Sequence, residues 1–119
     1  MQCKNILIVE DDADISEILK FAIEMEGYTV CTAANGKEGL EVLSKIEAPC
    51  LILLDLMMPI MDGWAFAEAL EKDPTLNSIP FVVVTAFAES AINIKKARAI
   101  IKKPVDLELL SSTIKKICA

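Results

Sequence analysis

The run "CLILLD", residues 50–55, is apolar at five consecutive positions and then ends in an acid. A strand with one wet face alternates apolar and polar residues; one that does not alternate must be covered on both faces. Such a strand belongs at the centre of a parallel sheet sandwiched between helices. The acid is out of place by propensity, because Asp is a poor strand former and costs several kcal/mol to bury unpaired. Its position at the end of the run needs a reason.

The rest of the chain repeats the pattern. "NILIVE", "YTVCTA", "IPFVVVTA" and "RAIIK" read as four further strands. Between them lie stretches with helical spacing. Residues 13–26 place Ile15, Ile18, Leu19, Ala22 and Ile23 on one face, and Gly27 stops them. "NGKEGLEVLSKI" starts with Asn35 as a cap. Residues 63–71 form a short helix ending before Pro74, residues 88–97 are expected to be helical, and residues 106–117 form a last helix capped by Asp106. Five strand-helix repeats with short connections predict an α/β fold. It is a doubly wound, five-stranded parallel sheet with right-handed crossovers, (βα)5, in one domain over residues 1–119.

Composition narrows the function classes. Hydrophobic residues make up 54% of the 119, which argues against disorder. No apolar run approaches the roughly 20 residues of a membrane span, and no signal-peptide core is evident, so a cytoplasmic protein without membrane insertion is expected. The formal net charge of −6 disfavours direct binding to nucleic acid. Cys3, Cys31, Cys50 and Cys118 form no CxxC pair, which argues against zinc, and in a cytosolic chain they are expected as reduced thiols. The chain has no histidine, which removes Ser-His-Asp and Cys-His catalysis.

In open parallel sheets the site lies at the carboxyl ends of the strands. Those ends carry Glu10-Asp11-Asp12, Asp55, Thr85-Ala86 and Lys103-Pro104. Carboxylates brought together repel unless something positive neutralises them. Lys103 supplies one charge, and hard oxygen donors suit Mg²⁺ for the remainder. Asp55 would then be a metal ligand with one oxygen left over as a nucleophile, able to accept a phosphoryl group as an aspartyl phosphate. Thr85 and Lys103 would offset charge on the transferring oxygens. Each element also has a plainer reading. Asp11 and Asp12 could cap the first helix, Thr85 fits a strand, Lys103 could be a solvated neighbour of Lys102, and Met57, Met58 and Met61 could fill the core.

"VEDD" after the first strand, "DLMMPIMDG" around Asp55, "TA" after the fourth and "KP" after the fifth resemble the receiver domain of two-component response regulators, over the whole chain. The resemblance implies a flavodoxin-like fold, with Asp11 and Asp12 as the acidic metal pair and Asp55 as phosphoacceptor. It implies the backbone carbonyl of Met57 as a further Mg²⁺ ligand, and Thr85 and Lys103 as phosphoryl-binding groups. It further implies a sensor histidine kinase or histidine phosphotransfer protein as donor, a downstream protein target, and a monomer or weak homodimer. A phosphoacceptor of this kind is not a turnover enzyme. Met57 stands where an aspartate-nucleophile phosphohydrolase needs a second carboxylate, and Glu10-Asp11-Asp12 would repel the phosphate of a flavin. A receiver-like interaction module that signals without phosphorylation is the alternative.

Two positions depart from the family pattern. Ile100 replaces the Tyr or Phe usual three residues before the lysine. Thr85 and Lys103 are 18 positions apart, about four fewer than usual, or roughly one helical turn. The fourth helix is therefore expected to be shortened or displaced.

Overall fold

The computed structural model describes residues 5–91 and 93–118. Five strands, β1 (Asn5–Val9), β2 (Thr29–Ala33), β3 (Leu51–Leu54), β4 (Phe81–Thr85) and β5 (Ala99–Lys102), form one sheet in the order β2-β1-β3-β4-β5. Every pairing is parallel. The helices are α1 (Ala13–Glu24), α2 (Gly36–Leu43), α3 (Gly63–Lys72) and α4 (Leu107–Cys118).

Alternation along the strands divides the core in two. Ile6, Ile8, Leu51, Leu53, Val82 and Val84 pack with Leu19 and Ile23 of α1 and Leu110 and Ile114 of α4. Leu7, Val9, Ile52, Leu54, Phe81 and Val83 pack with Leu43 of α2 and Phe66 and Leu70 of α3. The all-apolar β3 is buried along its length because each face has its own helices, as the central run predicts.

Local signals set the helix starts. Asn35 accepts from the Glu38 N–H, Asp62 from the Ala65 N–H, and Asp106 from the N–H groups of Glu108 and Leu109. Each satisfies a donor that the first turn leaves unpaired. Among the described residues no helix is long and apolar enough to cross a membrane.

Two expectations are corrected. Residues 88–97 are not a helix: a single 3-10 turn, Ala88–Ala91, is followed by bends and turns up to β5, with residue 92 outside the described set. The 13 residues between Thr85 and Ala99 must leave the carboxyl end of β4, run back along the sheet and turn into β5. A ten-residue helix rising about 15 Å leaves too few residues for a turn at each end. The cysteines are not all reduced either. Cys50 and Cys118 form a disulfide, with Cα atoms 5.7 Å apart, because the start of β3 and the last turn of α4 meet on one face. Cys31 is a free thiol, and Cys3 lies outside the described residues.

Candidate functional site

The strand ends converge as the topology requires. Ladder bonds continue past each strand: the Glu10 N–H donates to the Ala33 carbonyl, the Asp55 N–H to the Val9 carbonyl, and the Lys103 N–H to the Thr85 carbonyl. Glu10, Asp55, Thr85 and Lys103 are thus fixed by sheet hydrogen bonds. Gly63 brings α3 against this end of β3. Its N–H donates to the Leu56 carbonyl at 2.9 Å, and a Cβ there would collide with the Asp55 carbonyl and the Leu56 Cα. Only glycine permits that approach.

Carboxylate oxygens of Glu10, Asp11 and Asp55 all lie within 4.8 Å of one another. Glu10 and Asp55 are buried, whereas Asp11 opens to solvent. Lys103 closes the group from the far side, with Nζ 2.6 Å from Glu10 Oε1 and 3.5 Å from Asp55 Oδ2. Asp55 Oδ1 accepts from the Leu56 N–H at 2.8 Å. Thr85 is fully buried; its hydroxyl oxygen accepts from the Phe87 N–H, which leaves its hydrogen available to donate.

Burial pushes the Glu10 carboxyl up to about 7, against the Lys103 ammonium and the Asp12 N–H, which favour its charged form; Asp55 adds to the rise. For Lys103 burial acts downward, but the hydrogen bond with Glu10 and the charge of Asp55 outweigh it and raise the pKa. The cluster thus holds more negative charge than one lysine relieves, in a site made of hard oxygen donors. That is the donor chemistry of Mg²⁺.

The residues named from sequence fall differently around this centre. Asp11, Asp55 and Lys103 are brought together, and Thr85 sits at the adjoining strand end. Asp12 is outside the cluster. Its Oδ1 caps α1, accepting from the N–H groups of Asp14 and Ile15. The partner of Asp11 is Glu10 instead, one position earlier, which sequence reading left aside. What separates the two is backbone path: Glu10 follows buried Val9, still takes a sheet bond and is buried, while Asp12 already has a cap's extended backbone. Met58 and Met61 pack on the core as expected, but the Met57 side chain is 55% exposed. Ile100, at the position usual for an aromatic, is 40% exposed.

Residues 6–115 match the response regulator receiver domain family. The polar-differentiation response regulator DivK of Brucella anthropi is 34% identical over 116 residues, covering 94% of each chain. The probable transcriptional regulator ycf27 of Pyropia yezoensis is 41% identical over 88 residues, covering 74% of this chain and 35% of the relative. The chain thus spans about a third of the length of such relatives. Response regulator protein TrrA of Thermotoga maritima, solved in complex with Mg²⁺–BeF, superposes with a TM-score of 0.85 at 29% identity, covering 96% of this chain and 98% of that one. An acidic pocket at the carboxyl ends of a 2-1-3-4-5 parallel sheet, with this match along nearly its whole length, makes the chain a member of the response regulator receiver domain family.

Proposed function

We propose that this chain is a phosphoacceptor switch in a two-component or phosphorelay system, with Asp55 as the acceptor. The observation that carries the reading is the placement of Asp55: buried at the end of the central strand, within 4.8 Å of two other carboxylates and 3.5 Å from Lys103. Crowding buried carboxylates is costly, and such placements cluster at functional sites.

Glu10, Asp11 and Asp55 would hold Mg²⁺, joined by the Met57 backbone carbonyl. Asp12 keeps its cap. Bound there, the ion supplies charge neutralisation for the transferring phosphoryl oxygens. The chain's residues do the rest. Asp55 Oδ2 attacks phosphorus; the phosphorus–nitrogen bond of a partner's phosphohistidine breaks, and the imidazole leaves with the electron pair and takes up a proton. Lys103 pairs with one phosphoryl oxygen, and the Thr85 hydroxyl donates to another. The Leu56 N–H, donating to Asp55 Oδ1, holds the attacking carboxylate in place.

The product carries about one negative charge more than Asp55 did. That charge pulls on Thr85, from which the β4–β5 crossover leaves, and on Lys103, just past the end of β5, so the crossover and the strand it feeds are the elements biased by phosphorylation. A sensor histidine kinase or histidine phosphotransfer protein is the donor, a protein target reads the switch in the cytoplasm, and the domain accepts phosphate rather than turning over a substrate.

The test is intact mass after incubation with acetyl phosphate and Mg²⁺. A gain of about 80 Da, one phosphoryl group, is expected; it should vanish with EDTA and in Asp55→Asn. Equal labelling of wild type and Asp55→Asn overturns the acceptor assignment. No uptake from either acetyl phosphate or a phosphohistidine donor favours the unphosphorylated interaction module.

A further inference from the structure

The crossover that lacks its helix leaves a groove of about 810 Å³ between α3 and residues 93–98. Ile79 and Phe81 form its floor, Trp64 and Ala67 of α3 one wall, and Ile94 and Ala97 the other. On this face α2 and α3 cover the sheet side by side, and the next place, over β4 and β5, holds, among the described residues, the 3-10 turn and the bends after it. A helix about 10 Å across occupies roughly 420 Å³ per turn, so the space matches about two turns.

The charges at the rim are unbalanced. Glu68 is paired with Lys72 at 2.7 Å and Glu71 with Lys96 at 3.6 Å across the groove. Lys95 and Arg98 are exposed and have no ion partner among the described residues. In a chain of net charge −6, the groove thus offers two uncommitted cations beside half-buried apolar side chains.

We propose that this groove docks an acidic amphipathic helix of a partner protein. Its apolar stripe would cover Trp64, Ala67, Ile94 and Ala97, and carboxylates on its flank would meet Lys95 and Arg98. Helix-in-groove recognition uses such i, i+3, i+4 anchors, with rim charges setting orientation and partner choice. The proposal stands whether or not Asp55 accepts phosphate.

Trp64 is the sole tryptophan and lines the groove, so its emission reports occupancy directly. The probes are three idealised 14-residue amphipathic peptides of Leu and Ala with Glu on the polar face, and the same peptides with Lys for Glu. The Glu series should shift Trp64 emission with Kd of about 10–100 µM, and the Lys series should bind at least about tenfold more weakly. The double variant Lys95→Glu/Arg98→Glu, at exposed positions and checked for folding by circular dichroism, should lose at least about tenfold towards the Glu series. Equal binding of both series, no loss in the variant, or no shift with any Glu peptide at about 1 mM overturns the proposal. Self-association in sedimentation that the double variant abolishes would overturn it too, by assigning the groove to a second copy.

Discussion

Lys103 Nζ lies 2.6 Å from Glu10 Oε1, joining the last strand to the first across the acidic site, with side-chain exposures of 16% and 3%. Lys103 thus ties together the two buried acids of the site, Glu10 and Asp55; Asp11 joins them through the carboxylate cluster, while the Asp12 carboxylate is turned to the α1 cap. Glu10→Gln should weaken Mg²⁺ binding at least about tenfold, or 1.4 kcal/mol. Asp12→Ala should leave Mg²⁺ affinity within about threefold and cost about 1 kcal/mol of stability through the lost cap. Metal titration with urea unfolding separates them; a tenfold loss from Asp12→Ala alone would return Asp12 to the metal site.

The raised Glu10 pKa sets a pH dependence. A carboxyl whose pKa rises on folding favours the native state while protonated. That advantage is whole below about 4.5 and is lost as pH climbs through about 7. The raised Lys103 pKa acts in the same sense only above the ordinary lysine range. The urea midpoint in EDTA should therefore fall between pH 5 and pH 8, and Glu10→Gln should flatten the fall. Mg²⁺ competes with that proton, so its affinity should rise towards neutral pH.

Gly63→Ala should destabilise by about 1–3 kcal/mol, because the added Cβ meets backbone rather than a side chain that can swing away. It should also displace the Asp55 carbonyl and slow phosphoryl uptake. Unchanged thermal stability and unchanged labelling would show that α3 can back off freely.

Ile60 has φ 69° and is 78% exposed. A β-branched residue in the left-handed region costs roughly 1–2 kcal/mol, and glycine there returns most of it against about 0.5–1 kcal/mol of chain entropy. Ile60→Gly should be stabilising by about 0.5–1 kcal/mol in thermal unfolding.

The Cys50–Cys118 disulfide closes a loop of 68 residues in sequence separation. By loop-closure entropy its reduction should cost about 4 kcal/mol. Unfolding with and without dithiothreitol, with Cys50→Ala as control, measures this; a loss under about 1 kcal/mol would mean that the reduced chain is already held by α4 packing.

The sheet was legible because its central strands, β1, β3 and β4, are apolar nearly throughout, and Asp55, Thr85 and Lys103 were legible because each ends a strand. Glu10 and Asp12 could not be told apart by composition. The choice turns on which residue still takes a ladder bond and which begins the cap, a matter of two residues of backbone path. The shortening of the fourth crossover was legible in the 18 positions from Thr85 to Lys103, but the helix expected over 88–97 was not borne out. Ile94 and Ala97 pack inward as helical residues would, but the span they must bridge is too short for a helix with turns at both ends. The disulfide joins residues 68 positions apart, and only the meeting of β3 with α4 brings them together.

The absence of a fourth crossover helix has a consequence for local unfolding. β5 is an edge strand of four residues, held by one ladder to β4 and lacking a helix on the α3 side. Segments with one pairing partner and half a cover open well below the global unfolding free energy. Amides of 99–102 should exchange through such openings, while β1 and β3, paired on both sides, exchange only when the whole domain unfolds. Lys103 follows directly on that strand. The only cation at the acidic site among the described residues is thus mounted on a detachable edge, and each opening exposes Glu10 and Asp55 to one another without it.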